Sequence, residues 1–331
     1  FSLTTKHTVA PEDPAFAEDL KWFAAVCRIV KTLRGARVGA IGTRPPNFNT
    51  VRYSEKLLEA SGISVEPIDL SEIFGRIDRL SDNDEAVQAR LKDITGYITT
   101  AGVPDISLLK MAKLAVVIDG WMKDHDLIGT TIQCWTSIEE FFGIAPCAVM
   151  SMMSNALLPS ACEVDVMGLL SMLALQAASG TPTAIIDWNN NYGDDPNKMV
   201  AFHCSNFPKD MLEDARMAYQ DIVGGTVGNE NAYGTVQGRI KPGPFTFARV
   251  STDDLNGKIT AYVGEGTFTE DKLTTFGGYG VAEIPGLQCL MKHICNNGFE
   301  HHVAITQAQV ACALYEAFNK YLGWDVYYHK G

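Results

Sequence analysis

The chain has 331 residues, of which 46% are hydrophobic and 20% are charged, and its mean hydropathy is close to zero. A chain of this size can bury one large core or two, and we expect two domains. Its 39 acidic residues outnumber the 27 basic ones, which gives a formal net charge of −12. No basic run is long enough to attract nucleic acid or an anionic membrane. No apolar stretch of roughly 18 residues escapes polar interruption, so no transmembrane helix is predicted. The expected partner is a small neutral or polar molecule.

The cysteines and the start of the chain favour a cytoplasmic location. The eight cysteines stand singly, mostly within apolar runs, and no CxxC pair occurs. This pattern favours reduced thiols over a disulfide scaffold or a zinc ribbon. The chain begins Phe1-Ser2-Leu3-Thr4 without a basic segment followed by an apolar one, so no signal peptide is predicted.

The first half of the chain alternates between helical and strand patterns. Apolar spacing predicts a helix over residues 14–34, and a short apolar run closed by glycine predicts a strand over 37–42. The alternation continues with helices and apolar runs that we interpret as strands, over residues 50–61, 63–70, 81–97, 107–125, 131–135 and 148–153. Strands alternating with helices are typical of a parallel, doubly wound sheet. We therefore predict an α/β domain over residues 1–178.

The sequence pattern changes from about residue 181 onward. Short β-rich segments are separated there by Gly, Pro, Asn and Asp, at residues 184–186, 199–204, 235–240, 245–250 and 258–263. Such spacing predicts a mostly β, barrel-like domain over residues 179–331. One Ala-rich helix is expected near its end, over residues 305–321.

Four dispersed residues have the chemistry of a metal site. Glu163, Asp187, His203 and His302 offer two carboxylates and two imidazoles. This mixture of oxygen and nitrogen ligands suits Mn, Co or Zn, whereas Ca and Mg favour oxygen alone.

Each carboxylate also has a structural interpretation. Ser160 followed by Glu163 has the spacing of a capping box at a helix start. Against this, the following helix is apolar nearly all round, so its first turn would be buried and a carboxylate there would need a partner. Asp187 follows a short strand and precedes three asparagines, which suits an Asx-turn. The carboxyl end of a strand is also where α/β proteins place ligand-binding side chains.

The roles of the histidines also have alternative interpretations. His203 lies in an alternating strand and could be a hydrogen-bonded core residue. His301 and His302 precede the predicted last helix, where the helix dipole disfavours a cation, so one of the two could be held neutral as a ligand. A surface role is the alternative for His301. Gln133 and Trp135, at the end of an apolar run, are predicted substrate contacts, with structural roles as the alternative.

The segment Cys162-Glu163-Val164-Asp165-Val166-Met167-Gly168, with Ile186-Asp187-Trp188 downstream, resembles the L-fucose isomerase and L-arabinose isomerase superfamily. The resemblance extends over nearly the whole chain. It implies that residues 1–178 correspond to the second α/β domain of these enzymes, and residues 179–331 to their β-rich C-terminal domain. We expect the first α/β domain, which precedes these two in the family, to be missing from this sequence.

The resemblance also implies a site and an activity. By position, Glu163, Asp187 and His302 match the Glu, Asp and late His that bind Mn²⁺ in fucose isomerases, where the two carboxylates are also the acid/base pair. His203 resembles a further His ligand of arabinose isomerases. The implied protein is an aldose-ketose isomerase with Mn²⁺, or another divalent ion such as Co²⁺, that acts through an enediol(ate) on a free or modified sugar. Its pocket would lie between subunits of a homo-oligomer. The alternative is a non-catalytic sugar-binding or regulatory relative.

Overall fold

A computed structural model describes residues 1–331, whose strands form a four-stranded sheet and a nine-stranded sheet. The strands are β1 Arg37–Ile41, β2 Ser64–Ile68, β3 Thr130–Ile132, β4 Ser160–Cys162, β5 Thr183–Asn191, β6 Lys198–His203, β7 Leu212–Tyr219, β8 Tyr233–Ile240, β9 Gly243–Asp253, β10 Lys258–Phe268, β11 Gly278–Glu283, β12 His302–Thr306 and β13 Asp325–Tyr328.

The helices lie mostly in the first half of the chain. They are α1 Pro14–Leu33, α2 Glu55–Ala60, α3 Leu70–Ile77, α4 Glu85–Tyr97, α5 Asp105–Asp124, α6 Ser137–Phe142, α7 Cys147–Asn155, α8 Val166–Ser179, α9 Asp221–Val227, α10 Leu287–Asn296 and α11 Ala311–Glu316. Short 3₁₀ turns cover Pro46–Val51, Lys209–Met211 and Asn229–Asn231, and a π-helical turn, Ala317–Tyr321, continues α11. No helix combines the length and the apolarity that a membrane span requires.

The four-stranded sheet is parallel and carries helices on both faces. Its strand order is β2-β1-β3-β4, and all three pairings are parallel. In β1, Val38 packs in the core that contains α1 and α8, whereas Ile41 packs in the core that contains α5. Successive strand residues point to opposite faces, so one strand contributes to both cores. The predicted doubly wound parallel sheet is confirmed.

The nine-stranded sheet closes on itself as a barrel. Six antiparallel strands run in the order β9-β12-β5-β6-β11-β10, and the pairing of β10 with β11 completes the ring. Strand β13 adds to β10 in parallel, and β8 and β7 extend from β11. The predicted barrel-like second half is confirmed.

Helix α8 connects the two sheets. Its apolar sequence is buried nearly all round, and it packs on α1 and on strands β9 and β12. One continuous core contains Ile41 and Ile132 of the parallel sheet together with Ile186 and Ile305 of the barrel. A domain boundary at residues 178/179 stays a prediction, because the apolar packing is continuous across it.

Three predicted elements differ from the structure. Residues 148–153, predicted as a strand, lie within α7; a short apolar run cannot be assigned by periodicity alone, and its Ala and Met residues favour a helix. Residues 50–61 are a 3₁₀ turn followed by the short α2. The last helix does not begin at residue 305, because residues up to Thr306 belong to β12.

Candidate metal centre and active site

Glu163 lies in the tight turn between β4 and α8. Glu163 and Val164 have φ angles of +54° and +56°, a left-handed conformation that is uncommon for residues other than glycine. The capping-box interpretation of Ser160 is wrong, because Ser160 begins β4 and the N-cap of α8 is Asp165. The turn places the Glu163 carboxylate at the carboxyl end of a parallel strand, where α/β folds bind ligands.

Three neighbouring barrel strands supply the other candidate ligands. In the pairing of β12 with β5, His302 lies opposite Asp187. In the pairing of β5 with β6, Asp187 lies opposite Phe202, and His203 follows it. His302 is therefore the first residue of a strand. The predicted influence of a helix N-terminus on His302 is wrong.

The four predicted ligands come together. The Nε2 atom of His302 lies 3.5 Å from Oε2 of Glu163 and 3.6 Å from Oδ1 of Asp187. The Nε2 atom of His203 lies 3.9 Å from the same oxygen of Glu163. The side chains of Glu163, His203 and His302 are at most 2% exposed, whereas that of Asp187 is 26% exposed. Asp187 thus lies on the open side of the site.

Two carboxylate oxygens in this cluster have no hydrogen-bond partner. They are Oε2 of Glu163 and Oδ1 of Asp187, and both are buried. A buried polar atom without a partner is costly. Donor atoms of Asp187, His203 and His302 lie within 4.8 Å of one another. A divalent ion between these oxygens and the two Nε2 atoms would satisfy all of them, so the donor set fits Mn²⁺, Co²⁺ or Zn²⁺.

Asp165 orients His302. Its Oδ2 atom lies 2.9 Å from Nδ1 of His302. A histidine that donates its Nδ1 hydrogen to a carboxylate keeps Nε2 as the free ligand atom. Asp165 belongs to the motif that carried the family resemblance, but the sequence analysis gave it no role.

A buried arginine holds Asp165 in place. Arg249 donates to both oxygens of Asp165, at 2.5 and 3.0 Å, and to Glu300 at 3.0 Å. Burial alone would raise the pKa of Asp165, but the charge of Arg249 and the hydrogen bond to His302 outweigh it and lower the pKa, so Asp165 is an anion. Sequence reasoning missed Arg249, because it lies 84 residues from Asp165 along the chain. The one available signal was a charged residue inside the apolar strand segment 245–250.

The surroundings of Glu163 and His301 favour their neutral forms in the absence of a cation. Burial, followed by the neighbouring Cys134, raises the pKa of Glu163 well above its ordinary value. Burial and the neighbouring His302 lower the pKa of His301 to about 4. A bound cation would restore the charge of Glu163, so cation binding is expected to release a proton.

Of the two predicted substrate contacts, Trp135 lies at the edge of the site. The ring of Phe48 lies 5.8 Å from that of Trp135 and 6.3 Å from that of His302, so aromatic side chains wall this edge. The amide of Gln133 is engaged by protein groups: Oε1 accepts from the Thr43 N–H at 2.8 Å, and Nε2 donates to Ser137 at 3.0 Å. Substrate binding by Gln133 and Trp135 stays a prediction.

Comparison with known proteins agrees with this architecture. Residues 201–330 match the family described as L-fucose isomerase, C-terminal domain. The sulfoquinovose isomerase of Alkalicoccus urumqiensis is 25% identical over 305 residues, which is 91% of this chain and 66% of that protein. The sulfoquinovose isomerase of Priestia aryabhattai is 25% identical over 197 residues, and that of Clostridium sp. (strain MSTE9) is 24% identical over 198 residues.

The chain spans only part of these relatives. The matched region covers 43% of both the Priestia and the Clostridium proteins, and 59% of this chain. The family match covers most of the barrel, and the longest relative match also includes the parallel sheet that supplies Glu163. In its fold and in these matches, the chain is similar to the fucose isomerase-like superfamily.

Proposed function

We propose that the protein is a metal-dependent aldose-ketose isomerase and that Glu163, Asp187 and His302 hold the metal, with His203 as a further candidate ligand. The observation that carries the proposal is the convergence of two unpartnered carboxylate oxygens on the Nε2 atoms of two histidines. In a superfamily of sugar isomerases, this arrangement supports an enzyme over the non-catalytic alternative, because the acid pair and the late histidine are intact.

The two carboxylates suit the proton transfers of the reaction. Aldose-ketose conversion moves a hydrogen between C1 and C2 through an enediol(ate). One carboxylate removes the carbon-bound proton and returns it to the neighbouring carbon, and the other moves the hydroxyl proton. General acid/base catalysis of this kind contributes roughly 10²- to 10⁴-fold. A bound divalent ion would supply Lewis-acid stabilisation of the charge that develops on oxygen.

The environments of the two acids differ. Glu163 is almost fully buried and its pKa is raised, whereas Asp187 lies on the open side of the site beside both His301 and His302. Asp165, through Nδ1 of His302, keeps the imidazole ring oriented during these transfers.

We propose a sulfonated aldose as the substrate. This rests on the sulfoquinovose isomerases among the relatives, of which the Alkalicoccus protein matches 91% of this chain. The four site residues do not line the cavity of about 840 Å³ beside Arg44 and Glu300. We expect further walls of the substrate pocket from outside this chain, as in a pocket built between subunits of a homo-oligomer.

The proposal is tested with the protein at its full natural length. The protein is dialysed against chelator, Mn²⁺ is restored, and aldose-ketose conversion is measured with pentoses, 6-deoxyhexoses and sulfonated hexoses. We expect Mn²⁺-dependent conversion, with the sulfonated sugar preferred. Tight Mn²⁺ binding without conversion of any sugar would contradict the isomerase and support the sugar-binding relative.

Two substitutions test the acid pair. Glu163→Gln and Asp187→Asn each remove a carboxylate while keeping its shape, and each is expected to abolish turnover. The matched control is Asp194→Asn, an exposed aspartate in the loop after β5, and it should leave the rate unchanged. A wild-type rate in either site variant would remove that residue from the mechanism.

A further inference from the structure

The carboxylate of Glu163 faces two different sets of donors. Its Oε2 atom points toward the Nε2 atoms of His203 and His302. Its other oxygen, Oε1, lies 3.5 Å from the Sγ atom of Cys134. Donor atoms of Cys134, Cys162 and Glu163 lie within 4.8 Å of one another, and all three side chains are buried. Glu163 therefore has a histidine side, at Oε2, formed by His203 and His302, and a thiol side, at Oε1, formed by Cys134 and Cys162.

The thiol side contains more than these two cysteines. Cys204 is close enough to Cys147 and Cys162 for each of them to influence the pKa of its thiol, and its Sγ atom lies 3.6 Å from Nδ1 of His203. Four buried free thiols are thus grouped beside one carboxylate, and the proposed mechanism uses none of them. A buried free cysteine ordinarily behaves as a small hydrophobic residue. Packing alone does not explain why two thiols lie within 4.8 Å of a buried carboxylate oxygen.

A second buried acid lies on the same side. Glu139 of α6 is 1% exposed, and its Oε2 atom is buried without a hydrogen-bond partner. It is close enough to Cys134 and Cys204 to interact electrostatically with both. Unpartnered acidic oxygen and grouped thiols in one buried region are the surroundings in which a thiophilic cation is stabilised.

We infer that Cys134, Cys162 and Oε1 of Glu163 form a second cation site, specific for a thiophilic divalent ion such as Zn²⁺ or Cd²⁺. Thiolates and carboxylates are both zinc ligands, and zinc prefers four of them in a tetrahedron. With Zn–S bonds of about 2.3 Å, two tetrahedral sulfur ligands lie about 3.8 Å apart. The separations within the group require only small side-chain movements to reach this geometry. Binding to the metal-free protein releases one proton from each of the two thiols and the proton of Glu163 to solvent.

The shared carboxylate couples this site to the histidine side. An ion bound to Oε1 would fix Glu163 and lower its basicity at Oε2. Zn²⁺ or Cd²⁺ should therefore inhibit the proposed isomerase while Mn²⁺ supports it. This consequence rests on the proposed function, whereas the binding of the thiophilic ion does not.

The test is a titration of the chelator-treated, full-length protein with Cd²⁺. Binding is measured by the ultraviolet charge-transfer absorption of Cd–thiolate bonds. The exposed cysteines at positions 27, 289, 295 and 312 are first replaced by serine, so that only buried thiols remain. We expect a charge-transfer band that saturates at one ion per chain. Cys134→Ala and Cys162→Ala should each weaken Cd²⁺ binding by roughly tenfold or more, since the loss of a ligand costs at least as much as the loss of an outer partner.

Cys147→Ala is the matched control. Cys147 is a buried thiol of the same group, 2% exposed like Cys134, but it does not belong to the donor set. It should keep the band and the Cd²⁺ affinity. Absence of the band in the protein that lacks the four exposed cysteines, or equal loss in Cys147→Ala and Cys134→Ala, would overturn the inference. If an alanine variant fails to fold, Cys134→Ser and Cys162→Ser replace it with the same expected loss. A band without inhibition would reject only the coupling to catalysis.

Discussion

The Asp165 carboxylate links the candidate metal centre to the most deeply buried charge network in the molecule. It accepts from His302 on one side and from Arg249 on the other, and none of the three side chains is more than 1% exposed. A buried ion pair is stable only when each charge keeps its partner. The orientation of one predicted metal ligand therefore depends on a residue that does not face the metal.

We predict that Asp165→Asn weakens Mn²⁺ binding roughly 10- to 100-fold, the usual effect of losing an outer partner of a histidine ligand. It should also lower the free energy of unfolding by about 3–5 kcal/mol, because Arg249 loses a buried counter-charge. The measurements are Mn²⁺ titration and urea unfolding. The control Ser251→Ala removes only the hydrogen bond to Glu300 at 2.7 Å and should cost about 1.5–3 kcal/mol, the usual value for a hydrogen bond to a charged group. Equal Mn²⁺ affinities in the two variants would contradict the role of Asp165.

Glu139 gives a pH-dependent prediction. Burial, followed by Cys134, raises its pKa from 4.5 to about 9. Glu139 loses its proton at a lower pH in the unfolded chain than in the folded protein. The free energy of unfolding that depends on Glu139 therefore falls as the pH rises from 4.5 toward 9. By pH 7 the loss amounts to at most about 3 kcal/mol. Glu139→Gln should therefore flatten the decline of unfolding free energy between these pH values, as measured by urea unfolding.

The exposed neighbour Glu140 provides the control for this effect. Glu140 lies in the same helix, α6, but its side chain faces solvent. Glu140→Gln should retain the wild-type pH profile. If Glu139→Gln also retained it, Glu139 would have to be ionised in the folded protein at neutral pH.

The sequence predicted the candidate ligands better than the residues that support them. Glu163, Asp187 and His302 were predicted from ligand chemistry and family resemblance, and the structure brings them together with His203. The Asp165–Arg249–Glu300 network could not be predicted, because its members come from a helix cap, the middle of a strand and a loop that only the folded chain brings together. Hydrophobic periodicity carries no information about such long-range pairs.

At the scale of elements, the junction between β4 and α8 determines where Glu163 and Asp165 point. Gly168, in the first turn of α8, allows the Asp165 side chain to fold back on the helix. A Cβ atom at Gly168 would lie 2.4 Å from Oδ2 of Asp165 and 3.0 Å from Cδ1 of Ile185. No larger residue fits there without moving Asp165.

We predict that Gly168→Ala destabilises the protein by about 1–3 kcal/mol through overpacking and weakens Mn²⁺ binding. Gly96→Ala is the comparison, because Gly96 also lies in a helix and a Cβ there would meet nothing within 4 Å. It should stabilise by about 0.5–1 kcal/mol, the usual gain from alanine over glycine in a helix. Thermal unfolding and Mn²⁺ titration of both variants test this, and a Gly168→Ala protein as stable as Gly96→Ala would contradict it.

Elements with clear periodicity were predicted well, and short apolar runs were not. The long helices α1 and α5 and the strand segments of the barrel follow from their patterns. The strand β4 was missed because three residues are too few for a periodicity, and Ser160 with Glu163 imitates a helix start. The error matters, since this strand positions Glu163.

At the scale of the whole molecule, the parallel sheet and the barrel share apolar cores. Ile132 of β3 and Ile186 of β5 belong to the same buried cluster, and α8 packs on the barrel strands β9 and β12. The candidate metal centre lies at this junction, with Glu163 from the parallel sheet and the other candidate ligands from the barrel. Separation of the two halves would expose apolar surface and dismantle the site.

We therefore predict that the two halves unfold together. Hydrogen exchange in increasing urea, read by mass spectrometry, should show β3 and β5 losing protection at the same denaturant concentration. Barrel peptides that stay protected after β3 has exchanged would show instead that residues 179–331 form an independently stable domain.

The central claim is that Glu163, Asp187 and His302 bind one divalent ion. It is tested most directly by titrating chelator-treated, full-length protein with Mn²⁺ and following the electron paramagnetic resonance signal of the free ion. We predict one bound ion per chain, with affinity lowered roughly tenfold or more in Glu163→Gln, Asp187→Asn and His302→Ala and unchanged in Asp194→Asn. His203→Ala shows whether the fourth residue is a ligand. Wild-type affinity in all three site variants would contradict the account.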